Sequence, residues 1–391
     1  MAEVAKEYGA RILTVEHRFY GESLPSKMAL ATQLPYLTSA QALADVAMVI
    51  DAKKAENPLD TRFFTFGGSY AGALSAWFKE LYPTHSCGSL SSSGVVNAIE
   101  QFTAFDTQVA AAVGATCAAN VQGITAAFVA AIENGTEADN AAAKALFGLD
   151  AEMSDTDFYY MIADSAAMAD QYGSKGDLCD MAAAATAAES NSTARSMFAN
   201  FTSTFWGADF AHDCFYDTRC LHQRVPSSRW QPTARSWRWQ KCNELAYLQD
   251  APTDGTSLRA AALTLEVLEA QCNEVFGQVP NTSPVNDARG GNHPNATNVF
   301  YSNFQDDPWQ AASVLKTLDD SQPFALAYCD GCGHCADLHA STDEGMFTVA
   351  RCAVAVDAVA VPALPRIAAA VASPPPRPAS TSPRPPPSRP A

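Results

Sequence analysis

Residues 61–82 read TRFFTFGGSYAGALSAWFKELY. The stretch opens on a short apolar and aromatic run, Phe63 to Phe66, which has the signature of a buried strand. Gly67, Gly68, Ser69, Tyr70, Ala71 and Gly72 follow, and then Ala73, Leu74, Trp77, Phe78 and Leu81 recur at helical spacing. Strand, sharp glycine turn, serine, helix is the setting of a nucleophile elbow. Such a turn lifts the serine Oγ clear of the sheet's carboxyl edge. It also aims N–H groups of a helix N-terminus at any oxyanion that forms beside it. The fit to G-x-S-x-G has one departure: Ala71 stands at the second small position and Gly72 comes next. An ordinary strand-to-helix turn with an incidental serine is the competing reading of this window.

Working outward, the alternation of strand and helix continues on both sides. Residues 2–8 read as the end of a helix, and Ala10 to Val15 as a buried strand. The polar cluster Glu16-His17-Arg18-Phe19-Tyr20-Gly21-Glu22-Ser23-Leu24-Pro25 stands where that strand would end, the place α/β proteins put ligand sites. A helix is expected over 38–56, capped by Thr38 or Ser39, and CGSLSSSG at 87–94 reads as a buried strand of small residues. This order implies a parallel sheet with right-handed crossovers. From 99 to 275 the character is alanine-rich and helical, with periods at 109–119, 124–132, 141–147, 161–168 and 258–272. Seven aromatics near its centre, Trp206, Phe210, Phe215, Tyr216, Trp230, Trp237 and Trp239, form either this segment's own core or a pocket facing Ser69. A Pro-, Asn- and Gly-rich loop at 279–297 leads to strands at 298–303 and 323–328, and a last helix is expected from about Asp343 to Val356. The sequence then turns to Pro, Ala, Ser and Arg, a polyproline-type composition that cannot bury a core.

Composition narrows the function classes. The 391 residues carry a formal charge of −17, which argues against nucleic acid as a partner. No stretch reads as a membrane span, and no basic, apolar leader follows Met1. Eleven cysteines and five N-x-[ST] triplets, at Asn134, Asn191, Asn200, Asn281 and Asn295, favour a secretory or lysosome-like history.

A serine at an elbow needs a base and an acid to orient it. In α/β-hydrolases the chain order is serine, acid, histidine, the last two on loops after late strands. Asp307 follows strand 298–303, with Asp306 its near competitor, and His334 follows strand 323–328. His339 stands further toward the next helix. The segment Cys329-x2-Cys332-x-His334-Cys335 has residue types able to hold zinc, but disulfides explain the cysteines as well, and no metal or cofactor is expected.

At this point several motifs agree. EHRFYGESLP at 16–25, GGSYAGALSAWFKELYP at 67–83, WRWQKCNE at 237–244, DPW at 307–309 and GHCADL at 333–338 together resemble the S28 serine peptidases, in family order over residues 1 to about 350. The resemblance implies an α/β-hydrolase domain made of residues 1–98 and 295–356, a helical cap inserted over 99–294, and a disordered Pro/Ala-rich tail over 357–391. It implies Ser69 as nucleophile, Asp307 as orienting acid, His334 as general base and acid, and the Tyr70 N–H as an oxyanion donor. Trp309, Ala73 and Glu16 are the implied substrate-binding positions, with Ala73 and Ala71 smaller or bulkier than the commoner residues there. The implied substrates are peptides cut after proline or a small residue near one terminus, and a homodimer is the implied assembly. Family members carry early strands and a glycine-rich loop ahead of the segment with which this chain opens, so a truncated sequence lacking the second oxyanion donor is expected. The choice between carboxypeptidase and aminodipeptidase depends on whether the cap offers a cation (Arg229, Arg235, Arg238) or an acid (Glu244, Asp213) to the substrate's end. An esterase, or a hydrolase-like fragment without activity, are the other readings.

Overall fold

The computed structural model describes residues 1–25, 32–58, 62–222, 231–329 and 331–339. The expected terminal helix after Asp343, the Pro/Ala-rich tail, Arg229 and Trp230 lie outside these residues. The frame is a four-stranded parallel sheet in the order β1 (Phe64–Gly68), β2 (Gly88–Ser92), β5 (Val299–Phe304), β6 (Phe324–Ala327). Helix α3 (Tyr70–Leu81) links β1 to β2. It packs Trp77 and Phe78, both fully buried, into the core, each worth roughly 1.5–3 kcal/mol of transfer free energy. The small side chains of β2 let α3 approach: a Cβ on Gly72 would stand 2.8 Å from the main chain of Ser92 and Gly94. Helices α1 (Ala2–Glu7) and α2 (Ser39–Glu56) precede the sheet, and the Thr38 side chain caps α2 by accepting the Gln41 N–H.

Between β2 and β5 the chain is mainly helical. Its first part holds α4 (Thr103–Val113), α5 (Ala115–Glu133), α6 (Glu137–Ala145), α7 (Asp155–Gln171), α8 (Lys175–Thr186) and α9 (Asn191–Trp206). Next come α10 (Thr218–Leu221), α11 (Pro232–Gln240), a π-helical turn (Lys241–Leu245), α12 (Leu265–Phe276) and α13 (Ser283–Arg289). A second, two-stranded parallel sheet pairs β3 (Ile99–Gln101) with β4 (Ala246–Leu248). One apolar cluster runs from α2 and α3 through Phe102, Phe128 and Phe158 to Tyr301, so the helical segment and the main sheet share a core.

Several expectations need correction. Ala10 to Val15 is not a strand; Ile12 and Leu13 are exposed, because a strand exists only where a neighbour supplies its hydrogen bonds and β1, at the sheet's edge, does not pair with it. Phe64 and Phe66 are 58% and 44% exposed, so β1 is a strand with one face open, not a buried one. Phe66, Leu90 and Phe300 stand in one row across that face, and α3 covers the other. The period at 109–119 is broken by Gly114, whose φ of 81° ends α4 and starts α5. The period at 258–272 becomes helical only from Leu265. Among the described residues one helix does reach the length and hydropathy of a membrane span: α5, 19 residues with a mean hydropathy of 1.5. It packs Val121, Ile124, Phe128 and Ile132 into the core and is tied to α8 by the disulfide Cys117–Cys179.

Candidate active site

Ser69 sits between β1 and α3 with φ 59° and ψ −128°, a strained conformation for a residue with a Cβ. Its neighbours show what the turn requires. A Cβ on Gly67 would stand 1.9 Å from the Ala71 carbonyl oxygen, and Gly72 faces β2 as described. Ala71 itself is exposed, so the second glycine of the usual pattern is displaced by one position to where contact demands it. The Ser69 N–H donates to Ser92 O at 3.0 Å, and Ser69 O receives the N–H groups of Ala73 and Val95. The Tyr70 N–H opens α3, where N–H groups have no intrahelical partner.

Asp307 and His334 come from the loops after β5 and β6. His334 Nδ1 stands 2.9 Å from Asp307 Oδ1, and both side chains are buried. Asp307 Oδ1 also accepts the Trp309 N–H at 2.9 Å. The competitor Asp306 is engaged elsewhere, accepting from Lys175 Nζ at 2.8 Å and from the Gly331 N–H at 3.0 Å. His339 is exposed, beyond the short helical turn Ala336–Leu338. Burial works against a charge on His334, but the charge of Asp307, its hydrogen bond and Cys335 outweigh this and raise the ring's pKa to about 10. His334 Nε2 is buried without a hydrogen-bond partner, as is Asp307 Oδ2.

The His334 loop rests on the elbow. Cys335 N–H donates to Ser93 Oγ at 2.9 Å, and Cys335 Sγ lies 3.6 Å from Ser92 O, the carbonyl that also receives the Ser69 N–H. A Cβ on Gly68 would strike Cys335 Sγ at 2.8 Å and Leu338 at 2.6 Å. Asp337 bridges the hydroxyls of Ser92 on β2 and Ser302 on β5. Cys329 and Cys332 are bonded to each other, which removes them from the zinc reading, and Cys335 is free.

Trp309 lies 6.0 Å, centroid to centroid, from the His334 ring and packs on Phe102, Phe105 and Tyr247. Ala73 is fully buried below the elbow, away from any surface a substrate reaches. Glu16 is exposed and folded onto its own loop, accepting from Ser23 N–H and Oγ, which lowers its pKa. His17, from the same motif, lies 3.3 Å from the Tyr70 hydroxyl, which also accepts from Gln240 Nε2 at 2.8 Å. Of the aromatics weighed as core or pocket, Trp237 packs on Tyr70, while Trp206, Phe210, Phe215 and Tyr216 stack among themselves. Trp239 packs on Phe276.

The charged candidates of the helical segment are also placed. Arg235 is buried and donates to the Leu221 carbonyl; Arg238 is buried against Gln271. Asp213 accepts the Phe215 N–H. Glu244 accepts Ser39 N–H and Oγ, and burial raises its pKa; its charge reaches Tyr70.

Two residues without a sequence signal complete the arrangement. Gln171, the last residue of α7, accepts the His334 N–H on its main-chain carbonyl at 2.7 Å. Its side-chain Oε1 accepts the Trp309 indole N–H at 2.9 Å. Tyr247, with Ala246, follows the π-helical turn at φ 49° and 54°, and its hydroxyl donates to Val95 O at 2.5 Å. Backbone strain of this kind is retained where the surroundings hold it; here it brings one ring against both the elbow's next turn and Trp309.

The comparisons with known proteins bear on the family. The model of the Serine carboxypeptidase S28 family matches residues 1–352. A protein of Arabidopsis thaliana named "Probable serine protease EDA2" is 32% identical over 360 residues, covering 88% of this chain and 71% of that protein. The "Thymus-specific serine protease" of Mus musculus is 26% identical over 372 residues, covering 86% and 71%. A shorter match, 41% over 102 residues, covers 25% of this chain and 20% of "Prolyl carboxy peptidase like protein 5" of Caenorhabditis elegans. The α/β frame, the elbow and these matches converge: the chain belongs to the serine carboxypeptidase S28 family, a family of serine peptidases with the α/β-hydrolase fold.

Proposed function

We propose that this serine peptidase is an exopeptidase that cuts near one end of a peptide, after proline or a small residue, through an acyl-enzyme on Ser69. The observation that carries the reading is the Asp307–His334 hydrogen bond on a loop seated against the elbow that bears Ser69. In the working tautomer Nδ1–H of His334 donates to Asp307, leaving the Nε2 lone pair for the serine proton. Ser69 Oγ attacks the scissile carbonyl carbon as its proton passes to His334 Nε2. The oxyanion that results lies against the Tyr70 N–H. His334 then returns the proton to the leaving amine as the C–N bond breaks. Water, giving its own proton to His334 Nε2, opens the Ser69 ester and restores the enzyme.

The partly exposed face of Trp309 beside His334, backed by the buried rings of Phe102, Phe105 and Tyr247, suits a compact, apolar residue before the scissile bond, proline included. One relative carries "Prolyl carboxy peptidase" in its name. The four disulfides among the described residues suit an oxidising compartment, and all five sequon asparagines are exposed, as passage through the secretory route requires.

The test is labelling with a fluorophosphonate probe: the native protein reacts, Ser69→Ala does not, and equal labelling of the two would defeat the assignment. Mass spectrometry of products from a peptide with proline at both its second and its penultimate positions then reports which end is cut.

A further inference from the structure

The last turn of α7 holds a carboxyl that the mechanism above does not use. Asp170 is fully buried, and neither of its oxygens has a hydrogen-bond partner. Its charged surroundings come from three elements. Asp306 and Asp307 face it from the loop after β5, and Lys175 from the start of α8. His334 stands behind Asp307, bonded to it, with Cys335 next in the chain. Lys175 is committed to Asp306 at 2.8 Å. Three buried carboxylate oxygens in one neighbourhood, both of Asp170 and Oδ2 of Asp307, are therefore unsatisfied.

We propose that Asp170 is a positioning residue for the hydrolytic couple, a third carboxyl whose charge state sets how tightly His334 holds its proton. The inference rests on the triad reading of Asp307 and His334. The physical case begins with like charges. Carboxyls packed together in a dry site do not all ionise, and one keeps its proton. Asp306 has Lys175 and Asp307 has His334, so the proton falls to Asp170, the member without a partner. Burial, then the charges of Asp306 and Asp307 against that of Lys175, push its pKa up to about 8. A neutral Asp170 leaves two balanced pairs, His334–Asp307 and Lys175–Asp306. An ionised Asp170 adds a negative charge next to Asp307 and stabilises the imidazolium. Ionisation of Asp170 as pH rises puts a further negative charge beside Asp307. Each step toward a free base on His334 is then opposed by the carboxylate just formed. The cap helix thereby acts on the base without touching substrate. The same helix end grips both loops through Gln171, so the effect is transmitted at fixed geometry.

The test reads the proton, not turnover. Carbon-13 labelled histidine in the full chain gives an imidazole resonance for His334, identified by its loss in His334→Gln, and its midpoint is followed with pH. In Asp170→Asn, which fixes the neutral state in the same shape, the midpoint falls by about one pH unit, the size expected of one nearby charge. In Lys175→Gln, which removes the cation, it rises. A midpoint in Asp170→Asn within 0.2 units of the native value overturns the proposal. So does a shift of the same sign in both variants. Should Asp170→Asn not fold, an unchanged or lowered midpoint in Lys175→Gln overturns it alone. Fluorophosphonate labelling of the same samples separates this outcome from failure of the Ser69 reading, because the titration requires no active nucleophile.

Discussion

Replacing Asp307 by asparagine keeps the side chain's shape and removes its charge. In the native couple the 2.9 Å contact joins two buried groups. Burial by itself lowers the pKa of His334; the Asp307 charge and hydrogen bond reverse that and bring it from 6.5 to about 10. At about 1.36 kcal/mol per pH unit this is on the order of 5 kcal/mol of preference for the imidazolium in the folded protein. A pKa raised by folding contributes stability that is complete below the unfolded value of 6.5 and is lost as pH rises through about 10. Asp307→Asn therefore lowers stability at neutral pH, by about 3–5 kcal/mol for a broken buried pair. It also abolishes the further decline toward alkaline pH. The amide N–H of asparagine, turned to the ring, makes Nδ1 an acceptor and puts the proton on Nε2, where it cannot take the Ser69 proton. The expected loss in kcat is on the order of 10⁴ with KM little changed. The assays are steady-state kinetics on a chromogenic prolyl peptide and urea unfolding at several pH values across that window. A kcat within tenfold of native, or an undiminished alkaline loss of stability in the variant, would refute the reasoning.

Two further substitutions test the frame around the couple. Gln171→Leu leaves the partly buried Trp309 indole N–H without its acceptor, at a cost of about 1 kcal/mol. It is expected to lower kcat/KM about tenfold, whereas Gln171→Glu, which keeps an acceptor, retains most of it; equal kinetics for native and leucine proteins would count against the bracket. Gly72→Ala drives a methyl to 2.8 Å from the main chain of Ser92 in β2 and of Gly94, for an expected loss of about 1–3 kcal/mol in thermal unfolding. Ala71→Gly, at an exposed position one residue earlier, is expected to cost no more than about 1 kcal/mol and to keep fluorophosphonate labelling.

What the sequence discloses about this site follows how local each feature is. The elbow is readable because strand, glycines, serine and helix are contiguous, and each dictates the next within a few residues. Its apparent flaw at Ala71 is also local, and only the packing of Gly72 on β2 explains it. Asp307 and His334 are readable at one remove, from their places after strands. The choice of Asp307 over Asp306 is not, because it depends on which carboxyl meets the ring and which meets Lys175. Ala10 to Val15 has the composition of a strand, but pairing is supplied from outside the segment and the described residues give it none. Phe64 and Phe66 mislead for the same reason: alternation tells which face a side chain takes, not whether that face is covered. Gln171 and Asp170 carry no signal at all. They precede Asp307 by more than a hundred residues and end a helix whose sequence looks like ordinary core. Gln171 holds His334 by a main-chain carbonyl, a contact that any residue type could make. The cap's part in setting the base is therefore invisible to motif reading by its nature. It resides in where a helix ends relative to two loops, and changes in the cap far from any motif are the place to look for altered pH dependence.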